Sequence, residues 1–174
     1  MGVTVNSLLL GAICVAYHRI IPQKQRPSHL KIIIPMAYWN KKNVRDFQPK
    51  NNFMSSTAVF PVSDSLEEAS RYANGVMMER KDPTLMAFYA MILRFIVMAL
   101  PLKVFHKVFE DTVNKMTCTA SNMIASLNAP WTFGGKKVDW ICQSGNPYNI
   151  VSIAMSTLGD TVKVSVMVDT GVFA

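Results

Sequence analysis

The sequence has few cysteines and none of the short motifs that mark the commonest catalytic and ligand-binding sites. Its three cysteines, Cys14, Cys118 and Cys142, are far apart and odd in number. They match neither a disulfide framework nor the spacing of a zinc site. No glycine-rich phosphate loop and no Gly-x-Ser-x-Gly elbow occurs among the 174 residues. These absences predict a protein of a reducing, intracellular compartment that holds no metal and no bound cofactor.

Acidic residues are scarce at the start of the chain. Residues 1–50 hold eight Lys and Arg and one acid, Asp46, whereas residues 51–174 hold ten residues of each sign. The net charge of +7 therefore comes entirely from the first third. Three interpretations stay open: contact with anionic lipid, contact with a phosphorylated ligand such as coenzyme A, or a solvated basic face. Nucleic acid is not expected, because no binding motif accompanies the charge.

Histidine is also rare, and His18, His29 and His106 are widely separated. His106 and Glu110 have the i,i+4 spacing of a general base with its orienting carboxylate, which is equally the spacing of a surface pair. No third group completes a catalytic set, so the sequence predicts no catalytic residue.

Only one long stretch is nearly free of charge. From Thr84 to Leu100 the sequence TLMAFYAMILRFIVMAL carries a single charge, Arg94, and Pro101 follows it. A membrane span needs about 20 apolar residues, and a central arginine costs about 2.5–3.5 kcal/mol on insertion. The stretch is therefore predicted to be a helix that is buried or lies in a membrane interface.

Three other segments have helical patterns. The first begins at Asn6, a good N-cap residue, and ends before Pro22. The second follows Ser65 and Glu68, which have the spacing of a capping box. The third is amphipathic and follows the apolar stretch.

Strand patterns fill much of the remaining sequence. Leu30–Ile34 is predicted to be a strand buried on both faces and stopped by Pro35. Val162–Val168, in which valines alternate with other residues, is predicted to be a strand buried on one face. Further strands are predicted at residues 53–62, 116–123 and 150–157, with a hairpin or bulge at Gly134-Gly135. Helices and strands in this mixed order indicate an α/β (α+β) class.

The segment TCTASNMIASLNAPWTFGG (residues 117–135) and the strands after it resemble the C-terminal region of the wax ester synthase/diacylglycerol acyltransferase family. That family carries a Thr-x-Ser-Asn segment, then a short strand with a glycine, a serine, and a final strand that ends in Asp. The matching residues in this sequence are Thr119, Ser121, Asn122, Met123, Gly135, Ser156 and Asp169.

The beginning of the chain resembles the same family. GVTVNSLLL (residues 2–10) is similar to the start of a family helix, with Ser7 where the family has Asp. IIIPMA (residues 32–37), NNFMSS (51–56) and FPVSDSLEEA (60–69) follow in the family's order. Ala125-Ser126 stands where the family has Gly-Pro. The ordered resemblance therefore covers nearly all of the chain.

The resemblance implies a two-layer sandwich that is the second half of a chloramphenicol-acetyltransferase-like fold. In the family the first half carries His-His-x-x-x-Asp-Gly, whose second histidine is the general base, and these 174 residues contain no such motif. Residues 1–174 are therefore predicted to be a single domain, the C-terminal acyltransferase lobe, truncated at both ends and inactive alone.

The resemblance also implies four substrate-binding residues: Asn6, Thr119, Ser121 and Asn122. Asn6, Ser121 and Asn122 are expected near one apolar groove, on the face where a first lobe docks. Each also has an ordinary structural interpretation, since Asn6 would cap its helix and Ser121-Asn122 would form a turn.

The implied function is that of an O-acyltransferase lobe that makes wax esters or triacylglycerol, with acyl-CoA as co-substrate and a long-chain alcohol or diacylglycerol as acceptor. The implied partners are a membrane surface and a first lobe in trans, and the implied location is intracellular and membrane-associated, at the endoplasmic reticulum or lipid droplets in a eukaryote. Two alternatives stay open: a non-catalytic, lipid-associated scaffold derived from the lobe, and an unrelated membrane-anchored protein that depends on Thr84–Pro101.

Overall fold

Helices and strands follow one another in the order that the sequence predicts. The computed structural model describes residues 2–37, 53–126, 132–139, 151–158 and 160–168. Its helices are α1 (Val5–Ile20), α2 (Leu66–Arg80), α3 (Pro83–Ala99) and α4 (Leu102–Val113). Its strands are β1 (His29–Ala37), β2 (Phe53–Pro61), β3 (Cys118–Ser126), β4 (Thr132–Phe133), β5 (Lys136–Lys137), β6 (Val151–Leu158) and β7 (Thr161–Met167).

Five of the strands form one mixed sheet in the order β2-β1-β3-β6-β7. The central strands β1, β3 and β6 are parallel, and β2 and β7 pair antiparallel at the two edges. Strands β4 and β5 form a separate hairpin that turns at Gly134 and Gly135, with positive φ angles of 57° and 76°. Both the α+β class and the predicted hairpin are confirmed.

One face of the sheet, called the helix face below, carries the core beneath α1 and α2. The register places Ile32 of β1 beside Ala58 of β2 and Cys118 of β3, and all three are buried. The buried cluster comprises Leu10, Ile13, Cys14, Leu30, Ile32, Ile34, Met36, Ala58, Phe60, Ala69, Ala73, Met77, Met86, Cys118 and Ala120. The other side of the sheet is called the opposite face.

Helix α1 starts earlier than predicted. Thr4 is its N-cap, and the Thr4 side chain accepts a hydrogen bond from the Ser7 amide. Asn6 therefore lies inside the first turn, and the prediction that Asn6 caps the helix is wrong. The threonine hydroxyl already takes the capping role, which leaves the Asn6 amide for another contact.

Helices α1 and α2 approach each other closely at a glycine. A Cβ atom added at Gly11 would lie 2.3 Å from Ser70 Oγ and 2.8 Å from the Ser70 amide nitrogen. At the start of α2, Ser65 Oγ accepts from the Glu68 amide as the capping box predicts, and the Ser65 amide donates to Ser63 Oγ. Small residues along this contact thus set the distance between the two helices.

Two strand predictions need correction. On β1, Leu30, Ile32, Ile34 and Met36 are buried, but Lys31 is exposed, so only the helix face is fully covered. The strand also continues past Pro35 to Ala37, because it keeps its pairing with β2 there.

The valines of β7 are exposed rather than buried. Val162, Val164 and Val166 share the helix face with Ile153 and Met155 of β6. The core reaches only as far as Val151 and Ile153 on that side, so the valines lie beyond it.

Helix α3 is not the buried helix that one interpretation of its sequence predicts. Met86 is buried and Ala90 packs partly against the core, but every residue from Met91 to Ala99 is exposed. Within the described ranges no single helix is long and apolar enough to cross a membrane. Leu66–Arg80 and Thr84–Ala99 together have the length and composition of a span, but the two helices are bent by 67° relative to each other.

Candidate functional site

The two predicted asparagines meet at the junction of α1 and β3. Asn122 Nδ2 donates a hydrogen bond to Asn6 Oδ1 across 116 residues of chain, and both side chains are half-buried. Asn122 lies four residues after Cys118 and therefore on the same face of β3, where α1 covers it. We call this contact the asparagine pair.

The asparagine pair has an unused acceptor. Asn122 Oδ1 is buried and accepts no hydrogen bond from the residues that the structure describes, while the Nδ2 atom of the same amide donates to Asn6. A buried polar atom without a partner costs about 1–3 kcal/mol. Such an atom in a folded protein calls for an explanation, and a donor supplied by a ligand or by a docked domain is one explanation.

The strand neighbours of Asn122 on the side of β6 and β7 are apolar. Met155 of β6 is the registered neighbour of Asn122, and Val164 of β7 is the neighbour of Met155. Met155 is buried and Val164 is exposed. A polar group held by the asparagine pair would therefore lie next to an apolar strip that leads to the edge of the sheet.

Thr119 and Ser121 do not belong to this site. Thr119 Oγ1 donates to Ser152 Oγ at 2.7 Å on the opposite face, and Ser121 is in register with Ala154 there. Successive residues of a strand point to opposite faces. The expectation that Ser121 and Asn122 line one groove is therefore wrong, and so is the expectation of a Ser-Asn turn, since both residues lie within β3.

Ser156 is a polar residue that was matched to the family in the sequence but not proposed as a site residue. Its side chain is buried, and its Oγ forms no hydrogen bond with the part of the chain that the structure describes. It lies on the opposite face between Met123 and Lys163. No sequence signal besides the family resemblance distinguishes it, since Ser152 and Thr157 lie in the same strand.

His106 and Glu110 do not form a catalytic dyad. Among the described residues the ion pair is Arg71–Glu67, and no hydrogen bond joins His106 to Glu110. The His106 ring instead lies edge-on to Phe105, with 6.4 Å between ring centroids. Glu110 does not orient His106 in the way a general base needs.

The two described thiols are too weakly acidic to act as nucleophiles. Burial raises the pKa of Cys14 from 9.0 to about 11. Burial, and then the proximity of Cys14, raise the pKa of Cys118 to about 12. Both thiols therefore stay protonated at neutral pH and behave as core residues. Cys142 lies outside the described residues, as does Asp169.

The described ranges also contain no group of three His, Cys, Asp or Glu side chains that would hold a metal ion. Among the described residues, the hydrogen bond of the asparagine pair joins two neutral amides and involves neither an acid nor a base. Its amides are suited to holding and orienting a polar group, and a proton acceptor must come from elsewhere.

Comparison with known families gives one match. The family model described as WS/DGAT C-terminal domain matches residues 51–174. The matched range includes Asn122 and Ser156 but not Asn6. Neither the comparison with curated proteins nor the comparison with solved structures finds a match.

Proposed function

The chain belongs to the WS/DGAT C-terminal domain family, and on that premise we propose that it is the C-terminal lobe of an acyl-CoA-dependent O-acyltransferase. The products would be wax esters or triacylglycerol, made from acyl-CoA and a long-chain alcohol or diacylglycerol. The lobe would complete a chloramphenicol-acetyltransferase-like pair, with the reaction channel between the two lobes.

The asparagine pair is the observation that carries this proposal. Asn122 Oδ1 is a buried acceptor without a donor among the described residues, and Asn6 carries a second amide group, Nδ2, beside the Oδ1 atom that accepts from Asn122. One acceptor and one donor side by side suit an amide of the pantetheine arm or the polar end of an acceptor alcohol. Either ligand would leave its acyl or alkyl chain on the apolar strip formed by Met155 and Val164.

Proton transfer falls to the other lobe. An alcohol must lose its proton as it attacks the thioester, and loss of a general base typically costs about 10²- to 10⁴-fold in rate. The described residues offer no such base beside the asparagine pair. We therefore expect these 174 residues alone to be inactive.

An activity assay tests the proposal. The purified chain, incubated with palmitoyl-CoA and hexadecanol or diacylglycerol, should give no product above the blank. Addition of a family first lobe that carries His-His-x-x-x-Asp-Gly should restore ester formation. Turnover by the chain alone would contradict the proposal, and so would failure of a correctly associated pair to react.

A second part of the proposal concerns the membrane. The outer face of α3, formed by Phe88, Met91, Phe95 and Met98, is fully apolar and exposed. Together with basic residues in the first third, such as Arg19 and Lys24, it would bind an anionic membrane surface in plane. This is the basis for expecting an intracellular, membrane-associated protein.

Liposome flotation with phosphatidylserine-containing vesicles tests membrane binding. We expect binding that weakens with salt and is reduced by Phe95→Asp. Phe133→Asp is the matched control, because Phe133 is even more exposed than Phe95 but lies in the β4–β5 hairpin. An equal loss of vesicle binding in both variants would contradict the role of α3. Binding that does not depend on lipid charge would contradict the role of the basic residues.

The non-catalytic scaffold remains the second candidate. Ser7 and Ala125-Ser126 replace family residues, and Ser7 is fully buried, where it contacts Thr4 and Asn74. This packing gives Ser7 a structural role in place of a catalytic one. Restored activity in the two-lobe assay would exclude this candidate.

A further inference from the structure

Helix α3 has a second apolar face, which borders a groove at the edge of the sheet. The groove lies between α3 and edge strand β2, has a volume of about 310 Å³, and extends to the end of α2. Its helical wall is formed by Tyr89, Ile92, Leu93 and Ile96, which have the i, i+3, i+4, i+7 spacing of one helix face. Residues 55–57 of β2 form the other wall.

The groove has one cation at its edge. Arg80, in the last turn of α2, lines it and is half-buried. Within the described ranges no carboxylate pairs with Arg80. Ser55, Ser56 and Thr57 add hydroxyl groups nearby, whereas the α3 wall is apolar apart from the Tyr89 hydroxyl. The groove is thus apolar along its α3 wall, carries hydroxyl groups on its β2 wall, and is positively charged at one place.

We propose that this groove binds a single long-chain fatty acid, with its alkyl chain along α3 and its carboxylate on Arg80. Guanidinium groups bind carboxylates through paired hydrogen bonds, and the apolar wall favours an alkyl chain over a polar ligand. The volume is at the lower end of the range of ligand pockets, about 300–1,000 Å³, which suits one chain and not the two chains of a phospholipid.

This proposal is independent of the asparagine pair. Strand β1 separates β2 from β3 in the sheet, and Asn122 lies on β3. Fatty-acid binding can therefore be measured on the chain itself, with no first lobe and no acyltransferase assay, and its failure would leave the proposed function unaffected.

The test is a fluorescence titration with cis-parinaric acid, followed by displacement with oleate. The wild-type chain should bind one molecule, and Arg80→Gln should weaken binding about tenfold or more, because a hydrogen bond to a charged group is lost. Ile92→Asn should weaken it similarly, and Arg80→Lys should bind more tightly than Arg80→Gln but less tightly than wild type, because it keeps the charge and loses the paired hydrogen bonds. The control variants are Arg94→Gln and Val97→Asn, which change α3 at residues that do not line the groove and should bind like wild type.

Several results would overturn the proposal. The proposal is wrong if wild type does not bind cis-parinaric acid, or if the groove variants and the control variants bind it equally. It is also wrong if oleyl alcohol displaces the probe as effectively as oleate does. Stronger displacement by a dispersed acidic phospholipid would replace the single-chain ligand with a membrane lipid. Thermal melts of each variant separate lost binding from lost folding, and the Arg80→Lys variant keeps the charge test valid if Arg80→Gln unfolds.

Discussion

Helices α2 and α3 are consecutive and nearly equal in length, yet they are packed in opposite ways. Helix α2 contains mostly polar and small residues, and its Ala69, Ser70, Ala73 and Met77 are buried against α1 and the sheet. Helix α3 is apolar along nearly its whole length, yet Met86 is the only buried residue among its described side chains. The amount of apolar surface therefore does not decide which helix enters the core.

The difference arises from the pattern of small residues. Ser70 lies against Gly11 of α1 at a distance that no Cβ would allow, so α2 approaches closely with few apolar atoms. Helix α3 has large side chains on both of its faces and stays at the edge of the sheet. Large exposed apolar surfaces on a protein usually mark binding sites. We therefore propose that α3 binds ligands, whereas α2 stabilises the fold.

Two methionines give the sharpest contrast between the helices. Met77 of α2 is 2% exposed and Met98 of α3 is 76% exposed. We expect Met77→Ala to lower the free energy of unfolding by about 2–5 kcal/mol, and Met98→Ala to change it by less than about 0.5 kcal/mol. Urea denaturation measures both, and similar losses would show that α3 is packed as firmly as α2.

Two glycines test the close approach of α1 and α2. Gly11→Ala should destabilise by about 1–3 kcal/mol, because the added methyl group overlaps Ser70. Gly75→Ala, on α2 with open space around it, should stabilise by up to about 1 kcal/mol through helix propensity. A neutral Gly11→Ala variant in the same urea titrations would mean that the helices separate easily.

The buried thiols predict how the packed region responds to pH. The pKa values of Cys14 and Cys118 are raised in the folded state, to about 11 and about 12. Stability from these groups is therefore complete below pH 9 and is lost as the pH rises toward the folded values, by roughly 1 kcal/mol for each thiol per pH unit. Urea midpoints from pH 8 to 10 should fall less steeply in Cys14→Ala/Cys118→Ala, and an unchanged slope would contradict the prediction.

The smallest effect is expected at the start of α1. Thr4→Ala should cost about 1 kcal/mol of stability, because Thr4 caps the helix. Asn6→Ala should cost less, because Asn6 contacts Asn122 and does not cap. A larger loss for Asn6→Ala by thermal denaturation would restore Asn6 as the structurally important residue.

Much of the fold was predictable from the sequence because its signals are local. Proline and asparagine or serine positions placed the ends of α1 and α2 within a few residues, and alternation identified β7. The burial of β7 was not predictable, because alternation tells which residues share a face but not what covers that face. Whether α3 is buried likewise depends on its neighbours and not on its own composition.

The site was predictable only in part. The contact between Asn6 and Asn122 joins residues 116 positions apart, and only the family resemblance brought them together beforehand. The separation of Ser121 from Asn122 could have been predicted, since both were assigned to a strand-like segment in which neighbours face opposite ways. The groove beside β2 depends on the distance between two elements, which no sequence pattern specifies.

The most direct test of the account compares the two faces of β3 in one assay. In a two-lobe enzyme reconstituted with a His-His-x-x-x-Asp-Gly lobe, Asn122→Ala should lower kcat/KM by about 10²-fold or more, as loss of a positioned polar contact does in other acyl-transfer sites. Thr119→Val, three residues before Asn122 on the same strand but on the opposite face, should keep most of the activity. Equal activity of Asn122→Ala and wild type, or a greater loss in Thr119→Val, would contradict the assignment of the asparagine pair to the reaction channel.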